Sequence, residues 1–128
     1  MVVKSLENMT LNGVVEGNNL VGSSLNVNYI VSVDFDGNFK VVDKVSGRKR
    51  AISKLIQIVR QTGENITDYS LIVTESQVGT EGEEMISKLR EYFGEDMKVI
   101  LQKMSPTTTA IVGLGSIAIA FKVHRKLN

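Results

Sequence analysis

The sequence contains no cysteine and no tryptophan, and only one proline, Pro106, and one histidine, His124. Each shortage removes a class of explanation. Without cysteine there is no disulfide framework, no thiolate metal site and no cysteine nucleophile. His124 stands between Val123 and Arg125, close to the end of the sequence. That is a poor position for the acid–base chemistry that enzymes near neutral pH usually assign to imidazole. No catalytic residue, cofactor or metal ligand set is therefore expected, and the chain does not read as an enzyme. Long hydrophobic runs are missing too. The longest, from Ala110 to Phe121, is interrupted by Gly113 and Gly115 and is too short to cross a bilayer. No membrane insertion is expected. The stretch after Met1 has no apolar run of the secretory kind, so a cytoplasmic protein is the expectation. A formal net charge of +1 gives no overall field to attract nucleic acid.

What remains is the composition of one folded domain. The chain has 128 residues, 42% of them hydrophobic, which is enough for a single core. There is no repeat, low-complexity tract or linker. Leu6 and Met9 lie one helical step apart, so a short helix is expected over about 4–10, stopped by Asn12-Gly13. A second short helix is expected from about Asn18 to Leu25, with Leu20, Val21, Ser24 and Leu25 on one side. Val27 to Val33 is rich in β-branched residues and reads as a strand, and Asp34 to Gly37 supplies a turn. The returning strand is expected to place Phe39, Val41 and Val45 on one face and Lys40 and Lys44 on the other. Ser46 is the expected N-cap of a helix to about Gln61, with Ala51, Ile52, Leu55, Ile56 and Val59 as its apolar stripe and Gly63 as its end.

Leu71-Ile72-Val73 reads as a strand. A further helix, buried through Met85, Ile86, Leu89 and Phe93 and ended by Gly94, is expected to open with a capping box of Thr80 and Glu83. Met97, Val99 and Leu101 alternate in another strand. In the last one, Ile117, Ile119, Phe121 and Val123 share a face, with Ser116, Ala118 and Ala120 on the other. The fold class expected is an α/β two-layer sandwich: a mixed sheet of about five strands with two long amphipathic helices on one face. The second face, with Ala118 and Ala120, has no long helix to cover it. A ligand, a partner lobe or a second subunit would fit there.

Three features invite a chemical reading. Ser105 reads as the N-cap of a short helix with Pro106 first, while the hydroxyls of Thr107, Thr108 and Thr109 offer the alternative of a carboxylate or phosphate site. Arg48-Lys49-Arg50, with Lys44 and Lys54, is either a solvated face or a patch for phosphate or an acidic partner. Its three cations in a first helical turn oppose the helix dipole. No aromatic residue interleaves with it, which argues against single-stranded nucleic acid. Glu81, Glu83 and Glu84 suit a helix start and do not form a cation-binding loop. A phosphate-handling enzyme built on Thr107 to Thr109 and the basic helix start lacks an accompanying acid–base group.

The order of segments resembles the C-terminal lobe of the DegV family. Leu25-Asn26-Val27-Asn28-Tyr29-Ile30-Val31, then Asp36-Gly37, then Gly47-Arg48-Lys49-Arg50-Ala51 is similar to the family's Leu-Asn-Ile-Lys-Pro-Ile-Leu, its Asp-Gly hairpin and its helix opening Arg-Lys-Lys-Ala. Ser105-Pro106 through Gly113, Gly115 and Ile119-Ala120-Phe121 is similar to the family's Gly-Pro-x-x-Gly-Thr-His-x-Gly-Pro-Gly-Ala-x-Gly-x-Ala-Phe. The resemblance implies a bacterial, non-catalytic fatty-acid-binding protein of two lobes, or the C-terminal half of one. It further implies a long-chain fatty acid as ligand, and a fatty-acid kinase and a separate N-terminal lobe as partners. Lipid-binding positions carried over by the resemblance are Leu20, Ser24, Leu25, Thr107, Thr108, Ile111, Val112, Ile117 and Ile119. Two family positions differ: Gly-Thr-His becomes Thr109-Ala110-Ile111, and Gly-Gly-Arg-Ile becomes Asn12-Gly13-Val14-Val15. Both changes replace a head-group residue by an aliphatic one. The rival reading is a protein–protein interaction module that pairs, as a homodimer or with another chain, through its open sheet face.

Overall fold

In the computed structural model the described residues are 1–14, 26–34 and 36–123. The helix expected over Asn18 to Leu25 lies outside them, as does His124. The chain runs β1 (Val2–Val3), α1 (Glu7–Leu11), β2 (Val27–Val33), β3 (Phe39–Ser46), α2 (Arg48–Thr62), a 3₁₀ turn (Ile66–Asp68), β4 (Leu71–Glu75), α3 (Glu81–Phe93), β5 (Val99–Lys103), α4 (Pro106–Val112) and β6 (Ile117–Ala120). The strands form one six-stranded sheet in the order β3-β2-β1-β6-β4-β5. Only β4 and β5 run parallel, joined by a crossover through α3; the other pairs are antiparallel. The expected mixed sheet is present with one strand more. Val2–Val3 is too short to show a period in the sequence, yet it joins the two halves of the sheet by pairing with Ile30, Tyr29 and Ile117.

Both long helices cover the same face, as their apolar stripes require. Ala51, Ile52, Leu55, Ile56 and Val59 of α2 and Met85 and Leu89 of α3 are buried against Val2, Ile30, Leu71, Val73, Ile117 and Ile119 of the sheet. Outside this core, the Arg60 guanidinium lies 4.3 Å from the centre of the Tyr92 ring, a cation–π contact between the two helices.

Local chemistry departs from expectation at the helix starts. Gly47, with φ of +89°, is the N-cap of α2, because Ser46 is still paired with Val27 in the sheet. Thr80 precedes α3 without a side-chain cap; its hydroxyl donates instead to Glu84 Oε1 at 3.2 Å, so the expected capping box is absent. Gly63 ends α2 with an ordinary φ of −70°. Glycine is needed there for space, since a Cβ would fall 2.3 Å from Ile66 Cδ1.

The hairpin turn is held by Asp34, whose Oδ1 accepts from the backbone N–H groups of Asn38 at 2.8 Å and Asp36 at 2.9 Å. The bond from Asn38 foremost holds this exposed carboxyl below its ordinary pKa, with Asp36 adding to it. Along the strand that follows, Ile30 pairs with Asp43 but Val31 pairs with Val41, which leaves Val42 as a bulge. A bulge reverses the alternation of side chains. Phe39 and Val41 therefore pack on the face away from α2, while Val45 packs under it, and the three do not share a face as the simple period predicts.

Candidate functional site

The face of the sheet away from α2 and α3 carries a second apolar cluster. Val3, Leu6, Met9, Tyr29, Val31 and Val112 are buried in it, with Met1, Val14, Val27, Phe39, Val41, Met104 and Ile111 partly buried around them. Among the described residues its roof is two short helices: α1 has 5 residues and α4 has 7, and they touch each other above β1 and β2. Alternation in β2 explains how one strand serves both clusters. Tyr29 and Val31 point to this face while Ile30 points to the main core.

Among the described residues no helix covers the far half of the same face, over β4, β5 and β6. In register across it stand Ala120, Ile72 and Ile100, then Ala118, Thr74 and Gln102. Ile100 is 50% exposed, a high value for an isoleucine within a sheet.

A compact polar clamp fixes α4 over the sheet. Ser116 is fully buried; its hydroxyl donates to the Gly113 carbonyl at 2.8 Å, and its N–H donates to Ser76 Oγ at 3.3 Å. The Ser76 hydroxyl also donates to the Gly113 carbonyl, at 3.2 Å, and the Gly115 N–H donates to the Ser76 carbonyl at 2.7 Å. Gly115 has φ of +81°, and a Cβ there would lie 2.7 Å from Lys4 Cε. The Gly113–Gly115 spacing thus serves the tight passage from α4 to β6 rather than a nucleotide.

At the start of α4 the hydroxyls are largely used within the turn. Ser105 Oγ accepts from the Thr108 N–H at 3.2 Å and donates to Thr108 Oγ1 at 3.0 Å, and Thr109 Oγ1 donates to the Ser105 carbonyl at 2.8 Å. The capping reading of Ser105-Pro106 holds, and Thr107 is exposed, with no hydrogen-bond partner for its hydroxyl among the described residues.

Of the positions carried over by resemblance, Ile111 and Val112 belong to the second cluster, with Thr107 and Thr108 one to two turns before them on α4. Ile117 and Ile119 belong to the main core. The sheet separates these two pairs, so a single pocket on one face cannot be lined by both. Leu20, Ser24 and Leu25 lie outside the described residues, in the stretch between Val14 and Val27.

The basic run is divided by the fold. Arg48 is drawn inward, where its guanidinium donates to both Glu81 oxygens (Nη2 to Oε1 at 2.6 Å), to Asn28 Oδ1 at 3.0 Å and to the Gly115 carbonyl at 2.7 Å. One planar group therefore joins α2, α3, β2 and the entry to β6. Sequence reading missed this tie. Its one visible signal was the misfit of three cations at a helix start, since a cation placed against the dipole needs a partner. Glu81, taken as a dipole residue, is that partner. Among the described residues no group of three or more histidine, cysteine or carboxylate side chains is placed to hold a metal ion, and no helix is long and apolar enough to cross a membrane.

The architecture so far defines a class: a two-layer α/β lobe with a stabilised helical face and a lightly roofed apolar face. The family model for DegV, described as an uncharacterised protein, matches residues 1–123, and the chain belongs to that family. A DegV domain-containing protein of Clostridium perfringens is 29% identical over 118 residues, which is 91% of this chain and 41% of the relative. A DegV family protein from Eubacterium eligens, solved loaded with heptadecanoic acid, superposes with a TM-score of 0.84 at 18% identity, over 96% of this chain and 44% of that one. The fatty acid kinase B3 protein of Streptococcus pneumoniae, solved loaded with linoleic acid, superposes with a TM-score of 0.83 at 14% identity, over 96% and 43% of the two chains. The chain thus spans less than half the length of the relatives it matches.

Proposed function

We propose that this chain is the C-terminal part of a fatty-acid-binding protein, that it carries a long-chain fatty acid without acting as a catalyst, and that it works in the cytoplasm. The observation that carries the reading is the second apolar cluster, with seven partly buried hydrophobic residues under a roof of two short helices. An acyl chain laid against such a surface gains about 0.8 kcal/mol per methylene removed from water. No further chemistry is required of the protein. The fatty acids bound by the two solved relatives support the ligand class.

Ile111 and Val112 are the lining residues that the second cluster supports, and Leu20, Ser24 and Leu25 are proposed as lipid-binding on the family resemblance alone. Ile117 and Ile119 hold the core beneath. Recognition of the carboxylate falls mainly to groups outside this chain, because Ser105, Thr108 and Thr109 engage one another. Ile111 and Val14 stand where the family pattern has polar residues. A separate N-terminal lobe is the natural source of those groups. The rows of Ala120, Ile72 and Ile100 offer it a flat apolar seat, and the length of the relatives leaves room for it. A fatty-acid kinase is the expected consumer of the bound lipid, in keeping with the name of the pneumococcal relative.

Mass spectrometry of the purified protein, native and then after solvent extraction, tests the reading. A stoichiometric long-chain fatty acid, lost in Ile111→Asp, is the expected result. A clean apo mass that stays unchanged after incubation with excess oleate overturns lipid binding by this chain.

A further inference from the structure

We propose that the groove between β3 and the first turns of α2 binds an acidic segment of a partner protein. The inference does not depend on the lipid reading, because the groove lies beside the helical face and away from the second apolar cluster. It has a volume of about 640 Å³ and is lined by Lys44, Lys49, Arg50 and Lys54, with Asp43, Ser46, Ser53 and Gln57 among them.

Three observations combine here. The first is charge. Four cations and one carboxylate give the groove a formal +3, so the other eleven cations and thirteen carboxylates of the chain carry −2. On a near-neutral protein the groove thus holds a local excess of positive charge. The second is the lack of internal partners. Arg48 is paired with Glu81, whereas Lys44, Lys49, Arg50 and Lys54 have no carboxylate within bridging distance among the described residues. Two of these cations stand in the first turn of α2, which has no acidic residue to offset them against the dipole. Arg48, the third cation of that turn, is used by the fold; its two neighbours are not.

The third observation is shape. Residues 49, 50, 53, 54 and 57 form a stripe along α2 that runs about 12 Å at 1.5 Å per residue. The stripe faces the C-terminal half of an edge strand, so the groove is open to solvent along its length. Cations spread along such a channel suit several carboxylates held in an extended chain better than one compact anion. Ser46, Ser53 and Gln57 can hydrogen-bond the backbone of that chain. No aromatic residue lines the groove for a base to stack on, which disfavours single-stranded nucleic acid. Val45 is the one large apolar side chain in the lining, too little apolar surface to favour a bilayer.

The test uses the whole chain and a labelled peptide of alternating glutamate and glycine. Fluorescence anisotropy should show saturable binding that weakens as salt is raised, and amide shifts should cluster at 43–46 and 49–57. Lys49→Glu with Lys54→Glu should weaken binding by about tenfold or more, and the milder Lys49→Gln with Lys54→Gln should weaken it less. Lys98→Glu with Lys103→Glu, at the opposite sheet edge, should leave it unchanged. Equal affinity in the groove variants, or shifts centred elsewhere, overturns the proposal. So does binding of phosphatidylglycerol vesicles or inorganic phosphate at this groove without binding of the peptide.

Discussion

The two faces of the sheet draw on the same strands but are finished differently. On one face, helices of 15 and 13 residues bring long apolar stripes down onto β1, β4 and β6, and most large side chains there are fully buried. On the other, the helices among the described residues have 5 and 7 residues and reach only part of the surface, and partly buried hydrophobics outnumber the buried ones. A helix of three or four turns can close a face by itself, and a helix of one or two cannot. The difference separates the two faces: one is closed into a core, and the other leaves apolar surface partly exposed among the described residues.

The strongest challenge to that division is a cavity in each cluster. Leu89→Ala in the main core should cost about 2–5 kcal/mol, read from urea unfolding, with the loss set by how far α3 can settle. Met9→Ala in the second cluster should cost at the low end of that range or below, because its surroundings are already partly open. Equal losses would mean that the two faces are one core. Next comes the tie between α2 and the rest of the fold. Arg48→Met removes five hydrogen bonds at once, and the two side chains of its ion pair are 21% and 20% exposed. A loss of about 2–3 kcal/mol is expected, below that of a fully buried pair. The exchange Arg48→Glu with Glu81→Arg should not restore stability, since the Gly115 carbonyl and Asn28 Oδ1 would then face a carboxylate.

A charge on the lightly roofed face sharpens the contrast in the other direction. Ile111→Asp should change the unfolding free energy by about 1 kcal/mol, since Ile111 is only partly buried, while removing lipid from the purified protein. Ile119→Asp, placed in the main core, should unfold the chain instead. The smallest effect is expected at the hairpin. Hydrogen bonds to its carboxylate depress the pKa of Asp34. Its contribution to stability is therefore present above the unfolded pKa of an aspartate and is lost as pH falls through the lower folded value. Asp34→Asn keeps an acceptor in the turn and should flatten this part of the acid limb of a stability–pH curve.

Much of the fold was legible in advance where one local rule decided the outcome. The stripe from Ala51 to Val59 could be buried only as a helix face, and Asp34 with Gly37 could only turn the chain. Ser105-Pro106 capped its helix because side-chain oxygen and proline both suit that position. The failures have two causes. Val42 bulges and Ser46 stays in the sheet because pairing with β2, distant in the chain, overrides the local pattern, whereas Thr80 turns its hydroxyl to Glu84 one turn along its own helix. The candidate site was half legible: Ile111 and Val112 fall on the lightly roofed face, but Ile117 and Ile119, only a few residues on, fall behind the sheet.

The sequence by itself determined the two long helices and most of the longer strands, because periodicity and end signals act between residues close along the chain. Its lack of cysteine also removed disulfides and thiolate sites from consideration. Only the tertiary structure decided that Val2–Val3 joins the halves of the sheet and that Arg48 binds Glu81, Asn28 and Gly115. It alone divided the apolar residues into a core and an open cluster. Those outcomes depend on distances between residues far apart in the chain, and no local pattern encodes such distances.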